Sequence, residues 1–128
     1  MHILLIEDDI STAQLLMRLI ELWGFSVEHT ARGEVALRLL AERRPDVALV
    51  DSWLLDMDGA HVIAWMRTQP GLENTPAILM HAGEAKYDDV PADAQLHKPF
   101  LLEDLAAALL PYADSDHVAE LLVWIEGN

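Results

Sequence analysis

Short apolar runs alternate with stretches of helical period along most of the chain. Ile3-Leu4-Leu5-Ile6, Val47-Ala48-Leu49-Val50 and Ala77-Ile78-Leu79-Met80 are continuous apolar runs bounded by polar or turn residues. Runs this short are too brief for helices and read as strands buried on both faces of a parallel sheet. Ser26–Thr30 reads as a further strand, and Ala94–His97 as a short last one. Between them the pattern predicts a helix capped by Asp9 or Ser11, running to about Trp23 and ended by Gly24. Further helices are predicted over 34–41, over 60–69 up to Pro70-Gly71, and over 101–110. A tail helix after Asp114 or Ser115 carries Val118, Leu121, Leu122 and Ile125 at i, i+3, i+4, i+7.

Strand and helix in alternation imply βαβ units, a parallel sheet and right-handed crossovers. One connection is short. Only residues 83–92 separate the fourth strand from the fifth, whereas a whole crossover with its helix takes at least about 10–12 residues. A stunted helix or a plain loop is expected there. The first helix is unusual in another way: Leu15, Leu16, Met17, Leu19, Ile20, Leu22 and Trp23 leave only Gln14, Arg18 and Glu21 as a polar strip. Such an arc is wider than one sheet can cover. The tail helix, through Leu121, Trp124 and Ile125, or a second subunit in a homodimer formed by the first helix or the tail, is expected to cover it.

Composition narrows the classes. With 128 residues, 52% of them hydrophobic, the chain suits one domain able to bury roughly 70% of its unfolded surface. No apolar run nears the ~20 residues of a membrane span, and the sequence begins directly with a strand, so no membrane association is expected. Zero cysteines exclude a disulfide frame and fit a cytoplasmic setting. The formal charge is -14. Residues 69–128 hold Lys86 and Lys98 as their sole Lys or Arg residues. Direct nucleic-acid binding needs a basic face that this chain lacks, so a protein partner is expected.

The candidate chemistry lies at strand ends. Glu7 and Asp8 close the first strand, Asp51 closes the third, and Lys98-Pro99 follows the last. In an open parallel α/β sheet, ligands bind at the carboxyl ends of the strands where the strand order reverses. Acids converging there repel one another and call for a hard divalent cation, Mg2+ in the first instance. Asp56-Met57-Asp58-Gly59 is similar to a calcium loop and to the DxD of haloacid-dehalogenase-like phosphatases. The later acids of a calcium loop are missing, and Asp56 stands in a loop rather than directly on a first strand. The six histidines have no zinc-ligand spacing.

Ile3-Leu4-Leu5-Ile6-Glu7-Asp8-Asp9, Pro45-Asp46-Val47-Ala48-Leu49-Val50-Asp51, the loop ending in Asp58-Gly59, and Lys98-Pro99-Phe100 together resemble the receiver domain of two-component response regulators over residues 1–112, with 113–128 as a helical extension. The resemblance implies a doubly wound, flavodoxin-like five-stranded sheet of order 2-1-3-4-5 with an additional C-terminal helix. It implies a phosphoryl group taken on Asp51 from a histidine kinase or phosphotransfer protein. It also implies Mg2+ held by Asp8, Asp51 and the backbone carbonyl of Trp53, with Glu7 acting through water. Lys98 would pair with a phosphoryl oxygen across a cis bond to Pro99. The expected function is a stand-alone receiver signalling through contact with a downstream protein partner, a phosphoacceptor rather than an enzyme.

Three departures fall on the half of the domain that reads out phosphorylation. His81 stands where the family has Ser or Thr, Gln95 where it has an aromatic residue, and the 83–92 connection is short. His81 is a candidate donor to the phosphoryl group, and Trp53 a candidate shield for the acyl phosphate or a residue packed on the rim. The alternative reading is a pseudo-receiver, an interaction module that works without phosphorylation.

Overall fold

Five strands pair side by side into one parallel sheet in a computed structural model that describes residues 1–127. They are β1 (His2–Ile6), β2 (Ser26–Thr30), β3 (Val47–Asp51), β4 (Ala77–His81) and β5 (Ala94–His97). Their order is β2-β1-β3-β4-β5, with every neighbouring pair parallel, as expected. Asn128, the last residue of the expected extension, lies outside the described residues.

The period of two along each strand sorts the apolar residues into two cores. Ile3, Leu5, Val47, Leu49, Ile78 and Met80 meet α1 (Ile10–Leu22) and α4 (Leu102–Leu109). Leu4, Ile6, Ala48, Val50, Ala77 and Leu79 meet α2 (Gly33–Arg43) and α3 (Gly59–Met66) on the opposite face. β1, β3 and β4 are therefore wet at neither face, which is why they read as unbroken apolar runs.

Carboxylates start three helices. Asp9 accepts from Thr12 N at 3.0 Å and caps α1, as expected. Asp58 accepts from Ala60 N at 2.8 Å and caps α3. Asp56 accepts from Gly33 N at 2.6 Å and Glu34 N at 3.1 Å, capping α2 from a distant loop. Those two N–H groups hold the Asp56 carboxyl below its usual range. Both acids of the Asp56-Met57-Asp58 segment thus serve helix ends.

Two helix ends differ from the sequence pattern, and the short connection between β4 and β5 follows it. α3 ends at Met66 rather than near 69, because Thr68 N and Gln69 N reach back only three residues, to Trp65 O at 3.0 Å and Met66 O at 3.1 Å, and Pro70 offers no N–H. The 83–92 connection holds a single 3-10 turn, Ala85–Tyr87, as its length implied. Neither Asp114 nor Ser115 caps the tail helix α5 (Val118–Glu126). The Asp114 carboxylate instead accepts from Asp116 N at 3.1 Å and meets His117 Nδ1 at 2.6 Å, building the turn that precedes the helix.

α5 covers the end of α1 from within the chain. Trp23 is fully buried, and its ring stands edge-on to Trp124 with centroids 5.7 Å apart. Leu121 is fully buried beside them. A Cβ on Gly24 would lie 2.0 Å from the His117 ring, so glycine is what lets the tail seat there. Leu15 and Leu22 stay exposed. No helix among the described residues is long and apolar enough to cross a membrane.

Candidate functional site

The strand register brings the acids together. Ile6 of β1 pairs with Val50 of β3, and Asp51 pairs with Met80 of β4, so Glu7 and Asp8 leave β1 beside Asp51. On the far side, Lys98 leaves β5 with its N–H on the His81 carbonyl at 2.6 Å. The Lys98–Pro99 bond is cis, as expected. Gly59 closes the site from behind: a Cβ there would lie 2.0 Å from the Asp51 carbonyl oxygen. The first turn of α3 therefore rests directly on the strand end that carries Asp51.

Glu7, Asp8 and Asp51 each place a carboxylate oxygen within 4.8 Å of the others. Two like charges at that separation repel by about 3 kcal/mol at an effective dielectric of ~20. The single ammonium of Lys98 bridges two of them, 3.0 Å from Glu7 Oε1 and 3.0 Å from Asp51 Oδ1. Among the described residues, one cation stands with three acids, which leaves the cluster short of positive charge.

Burial sharpens the imbalance. Glu7 is fully buried and Asp51 is 3% exposed. Burial first, and then the neighbouring Glu7 carboxylate, pushes the Asp51 carboxyl up to about 6 despite the opposing pull of Lys98. Asp8 is raised as well, by burial and then by Asp51. Burial disfavours the Lys98 ammonium, but its bonds to Asp51 and Glu7 outweigh that and raise its pKa. The donor set is all oxygen, which fits a hard divalent cation such as Mg2+.

The loop after Asp51 is tightly closed. Gly59 N donates to Ser52 O at 2.8 Å, and Trp53 bridges to Asp58. The Trp53 indole is 76% exposed, so it packs on no rim, and the burial of Asp51 owes little to it. Around the crevice stand further exposed apolar residues, Ile10, Leu55 and Leu101. Beside them a groove of about 410 Å³ is lined by Leu15, Leu16, Pro99, Phe100 and Leu102, with Lys98 at its edge.

His81 does not join the acids. It is 1% exposed, its Nδ1 accepts the Gly83 N–H at 2.9 Å, and its Nε2 donates to Gln95 Oε1 at 2.7 Å. Both ring nitrogens are spent, so the contact with a phosphoryl group expected from sequence has no free donor here. Gln95 Nε2 in turn donates to the Tyr87 carbonyl at 2.8 Å. The Tyr87 ring lies 4.9 Å from that of His81, and its hydroxyl donates to Asp58 Oδ2 at 2.8 Å. Sequence reasoning missed Tyr87 and Asp58 as neighbours of the site. The signal was the shortness of the connection, which leaves a buried aromatic where a helix would otherwise pack.

Comparison with known proteins agrees with this geometry. The family model of the response regulator receiver domain matches residues 3–110. Response regulator MprA of Mycobacterium leprae is 33% identical over 128 residues, covering 94% of this chain and 55% of that protein. The chain thus spans about half the length of the curated relatives it matches. The receiver domain of sensor histidine kinase PA1611 from Pseudomonas aeruginosa PAO1, with a magnesium ion coordinated in its active site cleft, superposes with a TM-score of 0.80 at 26% identity, covering 87% of this chain and 95% of that one. Chemotaxis protein CheY4 of Vibrio cholerae superposes with a TM-score of 0.78 at 27% identity, covering 86% and 96%. With its sheet order, its strand-end acids and these matches in agreement, the chain belongs to the receiver domains of two-component response regulators.

Proposed function

We propose that Asp51 accepts a phosphoryl group from a phosphohistidine on a histidine kinase or phosphotransfer protein, with Mg2+, and that the modified chain signals by contact with a downstream protein. The observation that carries this is the buried Asp51 carboxylate, with Lys98 Nζ at 3.0 Å and two further acids beside it. Such an arrangement costs stability unless a cation and an anion are to be handled there.

An Asp51 oxygen attacks phosphorus in line with the leaving imidazole nitrogen. The O–P bond forms as the P–N bond breaks, and the electron pair stays on the nitrogen. Lys98 passes from the Asp51 carboxylate to a phosphoryl oxygen and offsets its charge. Asp8, Asp51 and the Trp53 carbonyl would hold Mg2+, with Glu7 acting through water. When bound, the ion neutralises charge on the transferring group. Exposed Ile10, Trp53 and Leu55 and the neighbouring apolar groove offer the donor protein an apolar seat around the crevice. Action in the cytoplasm belongs to the same reading.

A second reading, an interaction module indifferent to phosphorylation, is favoured by the engagement of both His81 ring nitrogens. The test is intact-mass measurement after incubation with acetyl phosphate and Mg2+, beside D51N. One phosphoryl group on the wild type alone supports the phosphoacceptor. An unmodified, folded wild type that also fails to bind Mg2+ supports the module.

A further inference from the structure

Tyr87 is buried to 3% exposure in the short connection between β4 and β5, yet its hydroxyl reaches the loop that follows Asp51. Its acceptor, Asp58 Oδ2, belongs to a carboxylate whose other oxygen caps α3 and whose backbone bridges to Trp53. Lys86 adds a cation 3.7 Å from the same oxygen. On its other side, the Tyr87 ring packs on His81 and its carbonyl accepts from Gln95. Asp58, Tyr87, Gln95 and His81 therefore form one hydrogen-bonded chain that runs from the Asp51 loop through β5 to the end of β4. The two positions at which this chain departs from its family's pattern, Gln95 and His81, are its last two members.

We propose that Tyr87 is a positioning residue for the phosphoryl site: by holding Asp58 it sets the shape of the 52–58 loop, and it thereby ties filling of the acid crevice to order in the 83–92 connection. This rests on the phosphoacceptor reading above and deepens it. Three features support it. Asp56 ties one side of the loop to the start of α2, and the Tyr87 hydroxyl ties Asp58 to the 83–92 connection. The Tyr87–Asp58 bond involves a carboxylate, so it is among the stronger kinds of hydrogen bond. Beyond the single 3-10 turn Ala85–Tyr87 the connection has no regular structure of its own, so its order depends on such ties. Coupling between two sites is reciprocal. If Tyr87 holds the loop in the form that binds the cation, a bound cation must strengthen the Tyr87 anchor.

The test uses Mg2+ titration followed by tryptophan fluorescence, and amide hydrogen exchange across 83–92, on wild type, Y87F and D58S. Y87F removes one hydroxyl and keeps the ring on His81. D58S keeps an oxygen able to cap α3 but removes the acceptor of the Tyr87 hydroxyl. Both variants should bind Mg2+ at least about fivefold more weakly, and the double variant no more weakly than either. Mg2+ should slow exchange across 83–92 in the wild type, and Y87F should lose that slowing even at saturating Mg2+. A purely structural role would lower the melting temperature without moving either readout. Equal Mg2+ affinity in wild type and Y87F, with the wild type binding, overturns the role of Tyr87 alone. No Mg2+ binding by the wild type overturns the phosphoacceptor reading and this inference with it.

Discussion

His81 and Gln95 are hydrogen-bonded to each other, Nε2 to Oε1, at 2.7 Å. The pairing follows from register. Leu79 faces Gln95 and His81 faces His97 across β4 and β5, so His81 and Gln95 share one sheet face as diagonal neighbours. With Gly83 N on the other ring nitrogen, the imidazole is a structural tie rather than a free hydrogen-bond donor. Replacing it with threonine, the residue type of the family pattern, strands the Gly83 N–H and the Gln95 amide oxygen. H81T should lose about 1–3 kcal/mol of stability, measured by urea denaturation. Phosphoryl uptake by H81A should stay within a fewfold of wild type.

Asp51 makes stability depend on pH in metal-free buffer. Its carboxyl stands at about 6 in the fold against an ordinary 3.8, so the folded chain holds this proton more tightly than the unfolded one. The contribution is full below the ordinary value and is lost as pH rises through about 6, to an extent of about 3 kcal/mol. D51N does not titrate. Its stability should exceed that of wild type above about pH 7, and the difference should vanish near pH 4. Chemical denaturation at both pH values checks the sign.

Mg2+ should reverse that order. A cation binding only the folded state stabilises it by about 2.7 kcal/mol at a hundredfold excess over its dissociation constant. The wild-type melting temperature should rise with Mg2+ and fall back on chelation. D51N and D8N should respond far less, each lacking one of the clustered carboxylates.

Lys98 bridges Glu7 and Asp51, so K98M removes the ammonium that offsets these two acids. Breaking a buried pair from one side costs about 3–5 kcal/mol, less where a carboxyl can take a proton instead. The loss should therefore be larger near pH 8 than near pH 5, and phosphoryl uptake should fall at both.

The tail helix supplies a check far from the site. Trp124 is half-buried against Trp23. W124A should cost about 2 kcal/mol while leaving Mg2+ affinity unchanged, as read by melting and titration.

Most of the sheet was legible because β1, β3 and β4 are buried on both faces and leave nothing but apolar residues to read. The acids at their ends were legible for the opposite reason, as charges placed where the apolar run stops. What escaped was polar and long-range. Asp56 caps a helix 23 residues before it in the chain, and no periodicity encodes that. The His81–Gln95 tie needs the register of two strands. The start of α5 needed the Asp114–His117 turn, which competes with a simple cap for the same carboxylate.

Asp51 as phosphoacceptor is tested most directly by trapping the acyl phosphate with borohydride, which reduces a phosphorylated aspartate to homoserine. After incubation with acetyl phosphate and Mg2+, peptide mass mapping should find homoserine at position 51 and nowhere else. Homoserine at another aspartate, or none in a chain shown to be folded and modified, would contradict it.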